Sequence, residues 1–226
     1  MPLLSVIVPV YNEAKTIRQI LEKIDAVDID KEIIVVNDGS SDETNNILRG
    51  IKLGNLKIIC HSDNRGKGAA FLTGLSHAKG EFVVIQDADL EYDPNDYLKL
   101  SSVIKKDKAD VVLGARFTKG YCGSFIPRFG NRFLTGLLNF LFNVKLNDCL
   151  TCYKLFRSQM IKSLDLKAQS FDIEIEIITK AIKNKLRIVE VPIAYHPRTY
   201  AEGKKIRWRD GVRAILSILR YRFNWI

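Results

Sequence analysis

The regular alternation of buried strands with amphipathic helices in the first half of the chain most constrains its fold. Apolar, β-branched runs predict strands at residues 5–10, 32–36, 57–60, 82–85 and 110–113. Helical periodicity lies between them, at residues 14–24, 42–53, 68–78 and 94–106. This order predicts right-handed crossovers and a parallel, doubly wound α/β sheet for residues 1–115. Ser40 and Glu43 stand at the spacing of a capping box for the second helix.

The second half is less regular, but it contains no linker or repeat that separates it from the first. We expect helices at residues 129–143, 171–184 and 210–221, with strands at 153–156 and 186–195. A length of 226 residues suits one domain. The simplest interpretation is therefore one domain with an elaborated C-terminal half.

Composition and charge narrow the possible partners. A hydrophobic fraction of 46% with 27% charged residues indicates a folded core and excludes disorder. The net charge is +9, and residues 196–226 hold eight Lys and Arg against two Asp and Glu. This basic tail predicts a nucleic acid, a phosphorylated ligand or a membrane surface as partner, with a solvated helix face as the plain alternative.

The sequence shows no signal peptide and no apolar run long enough for a membrane span. We therefore expect a cytoplasmic protein, soluble or peripherally bound to a membrane. Cys149 and Cys152 form a CxxC pair, which can be redox-active or half of a zinc site. We favour packing residues in a reducing compartment, because nothing nearby completes a metal site.

Polar segments follow each of the five predicted strands, where ligands of parallel α/β sheets bind. The segments are Tyr11-Asn12-Glu13, Asn37-Asp38-Gly39-Ser40-Ser41, Asn64-Arg65-Gly66-Lys67-Gly68, Gln86-Asp87-Ala88-Asp89-Leu90-Glu91 and Gly114-Ala115-Arg116. Asn64, Lys67 and Gly68 precede a helix and suit a phosphate or a ribose hydroxyl, although a plain turn and cap fits equally. Asp38 can accept a hydrogen bond from a nucleobase or serve as a turn residue.

The acidic segment after the fourth strand predicts a metal site. In extended backbone Asp87, Asp89 and Glu91 share one side, so they can converge on one cation. Oxygen ligands favour Mg²⁺ or Mn²⁺ over zinc and leave coordination positions for a diphosphate. The alternative is an acidic turn that caps the helix beginning near Pro94.

The combination VIVPVYNE, VVNDGSSDET, NRGKGAA and IQDADLEYDP resembles the family 2 glycosyltransferases. The likeness continues through GARF, NDCLTCYKLFR and EVPIAYHPRTYAEGKKIRWRDG, and is strongest to the polyprenyl- and dolichyl-phosphate hexosyltransferases. It implies a GT-A fold: a mixed, mostly parallel sheet flanked by helices, with C-terminal amphipathic helices. It also implies one domain over residues 1–226, whose half 1–115 binds the nucleotide sugar and whose half 116–226 binds the acceptor.

The resemblance assigns roles to particular residues. The nucleotide site would contain Pro9, Tyr11, Glu13 and Asp38. The metal ligands would be Asp87, Asp89 and Glu91, although the branch often has glutamine at the last place. The acceptor phosphate and the reaction would involve Asp89, Arg116, Arg128, Arg132 and, with less support, Asp148. Arg198, Lys204 and Lys205 would close on the diphosphate as a lid.

The implied reaction moves a hexose, mannose or glucose, from a GDP- or UDP-sugar to polyprenyl or dolichyl phosphate with inversion. A phosphate monoester with a second pKa of ~6 is already a dianion near neutral pH, so this acceptor requires no general base. The helices at 129–143 and 210–221 either rest on the cytoplasmic face of a membrane or pack in the core. The sequence contains no transmembrane helix of the kind that many relatives carry after this domain.

Other functions stay open at this stage. A saccharide acceptor would need a base, for which Asp148 is the candidate, and KKIRW at 204–208 is similar to the QxxRW of polysaccharide synthases. A nucleotidyltransferase would need a glycine-rich loop near the start of the chain. A nucleic-acid-binding module would use the basic tail, but no nucleic-acid fold signature is present, so we expect no nucleic-acid partner. A catalytically silent scaffold is disfavoured by the intact acidic and basic residues.

Overall fold

The computed structural model describes residues 2–106, 109–116, 125–198 and 208–223. Its strands are β1 (Leu4–Val10), β2 (Lys31–Asn37), β3 (Leu56–Cys60), β4 (Phe82–Ile85), β5 (Val111–Ala115), β6 (Lys154–Arg157) and β7 (Ile188–Pro192). Its helices are α1 (Ile17–Ala26), α2 (Thr44–Arg49), α3 (Lys67–His77), α4 (Asp96–Lys106), α5 (Phe125–Phe142), α6 (Ser158–Ser163), α7 (Ile173–Lys183) and α8 (Trp208–Phe223).

The seven strands form one sheet in the order β3-β2-β1-β4-β6-β5-β7. All neighbours are parallel except β6, which runs antiparallel to both β4 and β5. The central strands β1, β2 and β4 are almost wholly buried, as expected for strands covered on both faces. The mixed, mostly parallel sheet and the parallel arrangement of residues 1–115 are confirmed, and both sequence halves contribute strands to the one sheet.

Most predicted elements lie within a few residues of the observed ones, but three details differ. Helix α2 is only Thr44–Arg49, and Glu43 is its N-cap without a side-chain cap bond. The prediction of a capping box is therefore wrong. The Ser40 hydroxyl instead accepts a hydrogen bond from the Asn12 N–H at 3.0 Å. Helix α6 was not expected from the sequence, and the strand predicted over 186–195 is shorter, ending at Pro192.

Helices α5 and α7 of the second half both pack against α8. Ile218 of α8 is completely buried. Leu134 and Leu138 are the corresponding buried positions of α5. Among the helices in the described ranges, none combines the length and apolar character needed to cross a bilayer. The buried positions show that α5 and α8 each turn one face towards the protein.

The CxxC cysteines are buried thiols. Cys149 contacts the Thr135 hydroxyl at 3.4 Å, and burial raises the pKa of Cys149 to about 11. Burial likewise raises the pKa of Cys152 well above its ordinary value. Thiols that keep their protons are poor nucleophiles and poor metal ligands, so this geometry supports a packing role.

The contact between α3 and β1 gives a test of the packing. A Cβ added at Gly74 would lie 2.4 Å from Cγ2 of Ile7, so the helix must shift to admit it. We expect Gly74→Ala to lower the free energy of unfolding by about 1–3 kcal/mol. Urea denaturation followed by circular dichroism measures this change.

Gly136→Ala in α5 is the matched control, since a Cβ there has no atom within 4 Å. Alanine replaces glycine favourably in a helix, by up to ~1 kcal/mol. Equal unfolding free energies for Gly74→Ala and the wild type would contradict the close approach of α3 to β1.

Candidate active site

The carboxyl ends of the parallel strands lie at one edge of the sheet, and the polar loops follow there. Because β6 is antiparallel, its first residue, Lys154, reaches this same edge, where it is paired with Leu113 of β5. Strand β7 is parallel to β5 and leads towards Tyr195 and Arg198. The second half of the chain therefore adds cations to an edge whose first half supplies carboxylates.

The acidic segment after β4 is a turn, so the expectation of an extended backbone at residues 87–91 is wrong. Residues 88–89 form the turn, and Leu90 has a left-handed φ of 64°. Alternate side chains share a side only in extended backbone. As a result, Asp87 pairs with Lys67, whereas Asp89 and Glu91 contact different groups of Arg198.

Asp87 is held by a lysine from α3. Lys67 Nζ lies 2.7 Å from Asp87 Oδ1 and 3.0 Å from Glu174 Oε1. Burial raises the pKa of Asp87, but the charge and hydrogen bond of Lys67, with smaller contributions from Cys152 and Lys154, together hold that pKa below its ordinary value. Asp87 is therefore a compensated, ionised carboxylate.

Asp89 has much weaker compensation. Its Oδ2 lies 3.4 Å from Nη2 of Arg198, and its Oδ1 accepts the Glu91 N–H at 3.1 Å. Burial, together with repulsion from Asp87 and Glu91, raises the pKa of Asp89 to about 7. A carboxyl group whose negative charge is this poorly offset is suited to receive a cation.

Glu91 anchors the segment that follows β7. One of its carboxylate oxygens accepts the Tyr195 hydroxyl at 2.7 Å, and the other accepts the Arg198 N–H at 2.7 Å. Its backbone carbonyl accepts the His196 N–H at 2.9 Å. Glu91 thereby fixes the start of the segment for which a lid was predicted.

The chemistry of these oxygens fits a hard divalent cation, but the described residues include no group of three acidic, His or Cys side chains that could hold a metal. Asp89 is the best single ligand because its charge is only partly offset. Asp87 and Glu91 would need to exchange their contacts with Lys67 and Tyr195 to join it. The set of three ligands stays a prediction.

Asp38, after β2, is buried and accepts three hydrogen bonds from the protein. The donors are the Arg65 and Gly66 N–H groups at 3.0 and 2.8 Å and the His61 ring Nδ1 at 2.6 Å. His61 Nε2 in turn lies 3.0 Å from the Thr73 hydroxyl. Asp38 thus holds the loop before α3, and its contact with a nucleobase stays a prediction.

The remaining nucleotide-site candidates surround this loop. Asn64 is exposed, Tyr11 is 37% exposed, and Pro9 is half-buried near the end of β1. Gly68 is required by packing, since a Cβ there would lie 2.2 Å from the Ala168 carbonyl oxygen. Glu13 binds the Arg198 guanidinium with both carboxylate oxygens at 3.1 Å.

Arg116 and Asp148 form a buried bidentate pair. Arg116 Nε and Nη2 donate to the Asp148 carboxylate at 2.7 and 2.8 Å, and the Arg116 backbone N–H donates at 3.1 Å. The guanidinium lies over the Tyr195 ring, and Glu190 of β7 accepts the Asp148 N–H at 3.0 Å. Asp148 therefore positions Arg116, which is a different role from the base that a saccharide acceptor would need.

The other predicted cations are on α5 or beyond the described ranges. Arg128 is half-buried and Arg132 is exposed, both on α5. Their contact with an acceptor phosphate stays a prediction. Lys204 and Lys205 lie outside the described residues.

Several residues at this edge were missed from the sequence: His61, Lys154, Glu174, Glu190 and Tyr195. Only Glu174 carried a signal, since it alternates with isoleucines in the buried first turn of α7, as Glu176 also does. A carboxylate in such a position needs a buried partner, but the sequence does not show which one.

The chain belongs to glycosyl transferase family 2, whose sequence model matches residues 5–165. It is 29% identical over 225 residues to the low-salt glycan biosynthesis hexosyltransferase Agl6 of Haloferax volcanii, covering 96% of this chain and 53% of the relative. It is 28% identical over 208 residues to the dolichol-phosphate mannosyltransferase of Pyrococcus furiosus, covering 88% and 58%. The chain thus spans little more than half the length of these curated relatives.

Solved structures confirm the GT-A fold. Glucosyl-3-phosphoglycerate synthase from Mycobacterium tuberculosis, in complex with Mn²⁺, UDP and glucosyl-3-phosphoglycerate, superposes with a TM-score of 0.76 at 21% identity. That match covers 100% of this chain and 81% of the other. TarS 1–349 of S. aureus gives a TM-score of 0.63 at 24% identity, covering 98% and 72%.

The buried pair of Arg116 and Asp148 predicts a large effect of a small substitution. Asp148→Asn removes the negative charge and leaves the guanidinium buried without compensation from that side chain. We expect the free energy of unfolding to fall by about 3–5 kcal/mol, measured by urea denaturation.

Asp165→Asn is the control, because Asp165 and Lys167 form an ion pair in which both side chains are exposed. This pair should contribute at most ~1 kcal/mol. Similar small losses in both variants would refute the positioning role of Asp148.

Proposed function

We propose that this chain transfers a hexose from a nucleotide-diphosphate sugar to a polyprenyl or dolichyl phosphate. The main support is that the poorly compensated Asp89 lies at the same edge of a GT-A sheet as the cations Arg198 and Lys67. Such an edge suits a metal-bound diphosphate. The names of the relatives support a lipid-phosphate acceptor, including a dodecaprenyl-phosphate galacturonate synthase of Rhizobium johnstonii that is 28% identical over 229 residues.

The reaction is an in-line displacement at the anomeric carbon. An oxygen of the acceptor phosphate forms the new bond to that carbon, and the bond from the carbon to the donor diphosphate breaks. The configuration at the anomeric carbon is inverted. The nucleoside diphosphate leaves with the electron pair. Since the acceptor phosphate is already a dianion near neutral pH, no proton has to be removed.

The protein's part is to place two anions beside each other. Arg116 is fixed by Asp148 below it and by the Tyr195 ring, so its guanidinium loses little freedom when it binds a phosphate. Arg198 is shared by Glu13 and Asp89, and we infer that it binds the diphosphate. Fixed cations of this kind stabilise developing negative charge without rearrangement.

A divalent metal held by Asp89, with Asp87 and Glu91 as further candidates, would supply Lewis acidity that stabilises the departing diphosphate. The M. tuberculosis glucosyl-3-phosphoglycerate synthase has been solved with Mn²⁺ and with Mg²⁺, each together with UDP. Either metal fits an all-oxygen ligand set.

Helices α5 and α8 suit a peripheral contact with the cytoplasmic face of a membrane. On α5, Phe129, Phe133 and Phe140 are 64%, 55% and 84% exposed and lie within about 40° of one another around the helix. On α8, Val212 and Leu216 are exposed beside the exposed Arg213. Exposed aromatic side chains near basic ones favour an anionic bilayer, where a lipid phosphate would be found.

A radiolabelled transfer assay tests the reaction. GDP-mannose and UDP-glucose are offered with polyprenyl phosphate in detergent and with Mn²⁺ or Mg²⁺. We expect label in the organic phase, loss of transfer with EDTA, and a rate at least about 100-fold lower in Asp89→Asn. Asp165→Asn is the control and should transfer normally.

The products decide between acceptors. Metal-dependent label in an added saccharide, with none in the lipid, would move the acceptor to the saccharide class and overturn the lipid-phosphate assignment. A wild-type protein that neither binds nor turns over any donor would overturn the glycosyltransferase activity itself.

Vesicle sedimentation tests the membrane contact, using phosphatidylcholine vesicles with and without phosphatidylglycerol. We expect Phe140→Ser to weaken binding to the anionic vesicles about five- to tenfold, because one phenyl ring no longer enters the bilayer. Leu98→Ser on α4 is the matched control, since Leu98 is also exposed, at 46%. Equal binding by both variants would contradict contact through α5.

A further inference from the structure

Four residues of alternating charge lie beneath the acidic segment and form a row that leads into the interior. Lys154 is completely buried and binds the Glu174 carboxylate. The other oxygen of Glu174 lies 3.0 Å from Lys67 Nζ, which in turn lies 2.7 Å from Asp87 Oδ1. The side chains of Asp87 and Lys67 are 23% and 13% exposed, so these two residues lie nearer the surface than the completely buried Lys154.

Each of the four residues in this row comes from a different element. Asp87 follows β4, Lys67 begins α3, Glu174 lies in the first turn of α7, and Lys154 begins the reversed strand β6. Glu174 is the member that touches both lysines. Its removal would place two buried ammonium groups beside one carboxylate, so the charges would no longer alternate.

The position of Lys67 depends on Glu174. A lysine side chain has several rotatable bonds and one compact charge, so a single contact with Asp87 leaves it free to pivot. Glu174 supplies a second fixed contact, and Cys152 Sγ is a third neighbour at 3.7 Å. With Lys67 held at these points, the Asp87 carboxylate is presented to the site in one orientation.

We propose that Glu174 is a positioning residue for donor binding, acting through Lys67 on Asp87. The inference rests on the proposed use of Asp87 at the nucleotide-sugar site. Residues that orient a direct ligand typically change its affinity 10- to 100-fold when they are replaced. Loss of Glu174 should therefore weaken the binding of Mn²⁺ and nucleoside diphosphate even where the fold survives.

A pair of variants separates positioning from stability. Glu174→Gln leaves Lys154 without a charged partner, so it should lower both the melting temperature and the donor-site affinity. The double variant Glu174→Gln/Lys154→Met removes one charge of each sign and buries no new one, so it should recover much of the melting temperature. It does not restore the contact between Glu174 and Lys67.

The measurements are the melting temperature, Mn²⁺ binding by electron paramagnetic resonance, and calorimetric binding of Mn²⁺ with UDP or GDP. We expect about tenfold weaker binding in both Glu174→Gln and the double variant. Ile178→Ala is the matched control, because Ile178 is a completely buried residue of the same helix without a charge. It should lower the melting temperature and leave both affinities unchanged.

Two results would overturn the positioning role: unchanged affinity in Glu174→Gln, or recovery of affinity together with stability in the double variant. If wild-type protein binds neither nucleotide, the proposed function fails. The role of Glu174 is then tested by comparing the Mn²⁺ affinity of the wild type with that of both variants. Equal Mn²⁺ affinities in all three proteins would refute that role.

Discussion

Repulsion between carboxylates at one edge of the sheet is the constraint on which the site depends. Glu13 and Asp89 approach each other closely enough to share Arg198, while Asp87 takes Lys67. Without these partners, the buried carboxylates would either take up protons or destabilise the folded protein. The second half of the chain supplies Arg198 and Lys154, so the fold of that half and the charge balance of the first half are inseparable.

The cations do not offset the charges of these carboxylates equally, and this difference has functional meaning. Asp87 and Asp148 each have a cation at 2.7 Å, whereas the ion pair that Asp89 forms within the described ranges is with Arg198 at 3.4 Å. The difference appears in the carboxyl groups themselves: the pKa of Asp87 is lowered and that of Asp89 is raised to about 7. A protein selected only for stability would remove that strain, so its presence points to an incoming ligand.

Sequence reasoning recovered the strands β1 to β5 because apolar, β-branched runs and the helical patterns between them are local signals. It placed the polar loops at one sheet edge for the same reason. The turn at 88–89 was only the alternative to an extended segment, because the left-handed Leu90 has no marker such as glycine. The pairing of Asp87 with Lys67 and of Asp148 with Arg116 was not predicted, because spacing along a chain does not encode contacts between distant elements.

The reversed strand β6 also affects how this architecture can diversify. Residues that precede β6, rather than those that follow it, reach the edge where the site lies. The segment between α5 and β6, which carries Asp148, is therefore independent of the crossovers that join β1, β2, β3 and β4. Apart from its buried residues at 148–149 and 151–153, its length and sequence can change while those crossovers keep their geometry. One sheet thus combines loops that are joined by fixed crossovers with a segment before β6 that lies outside those crossovers.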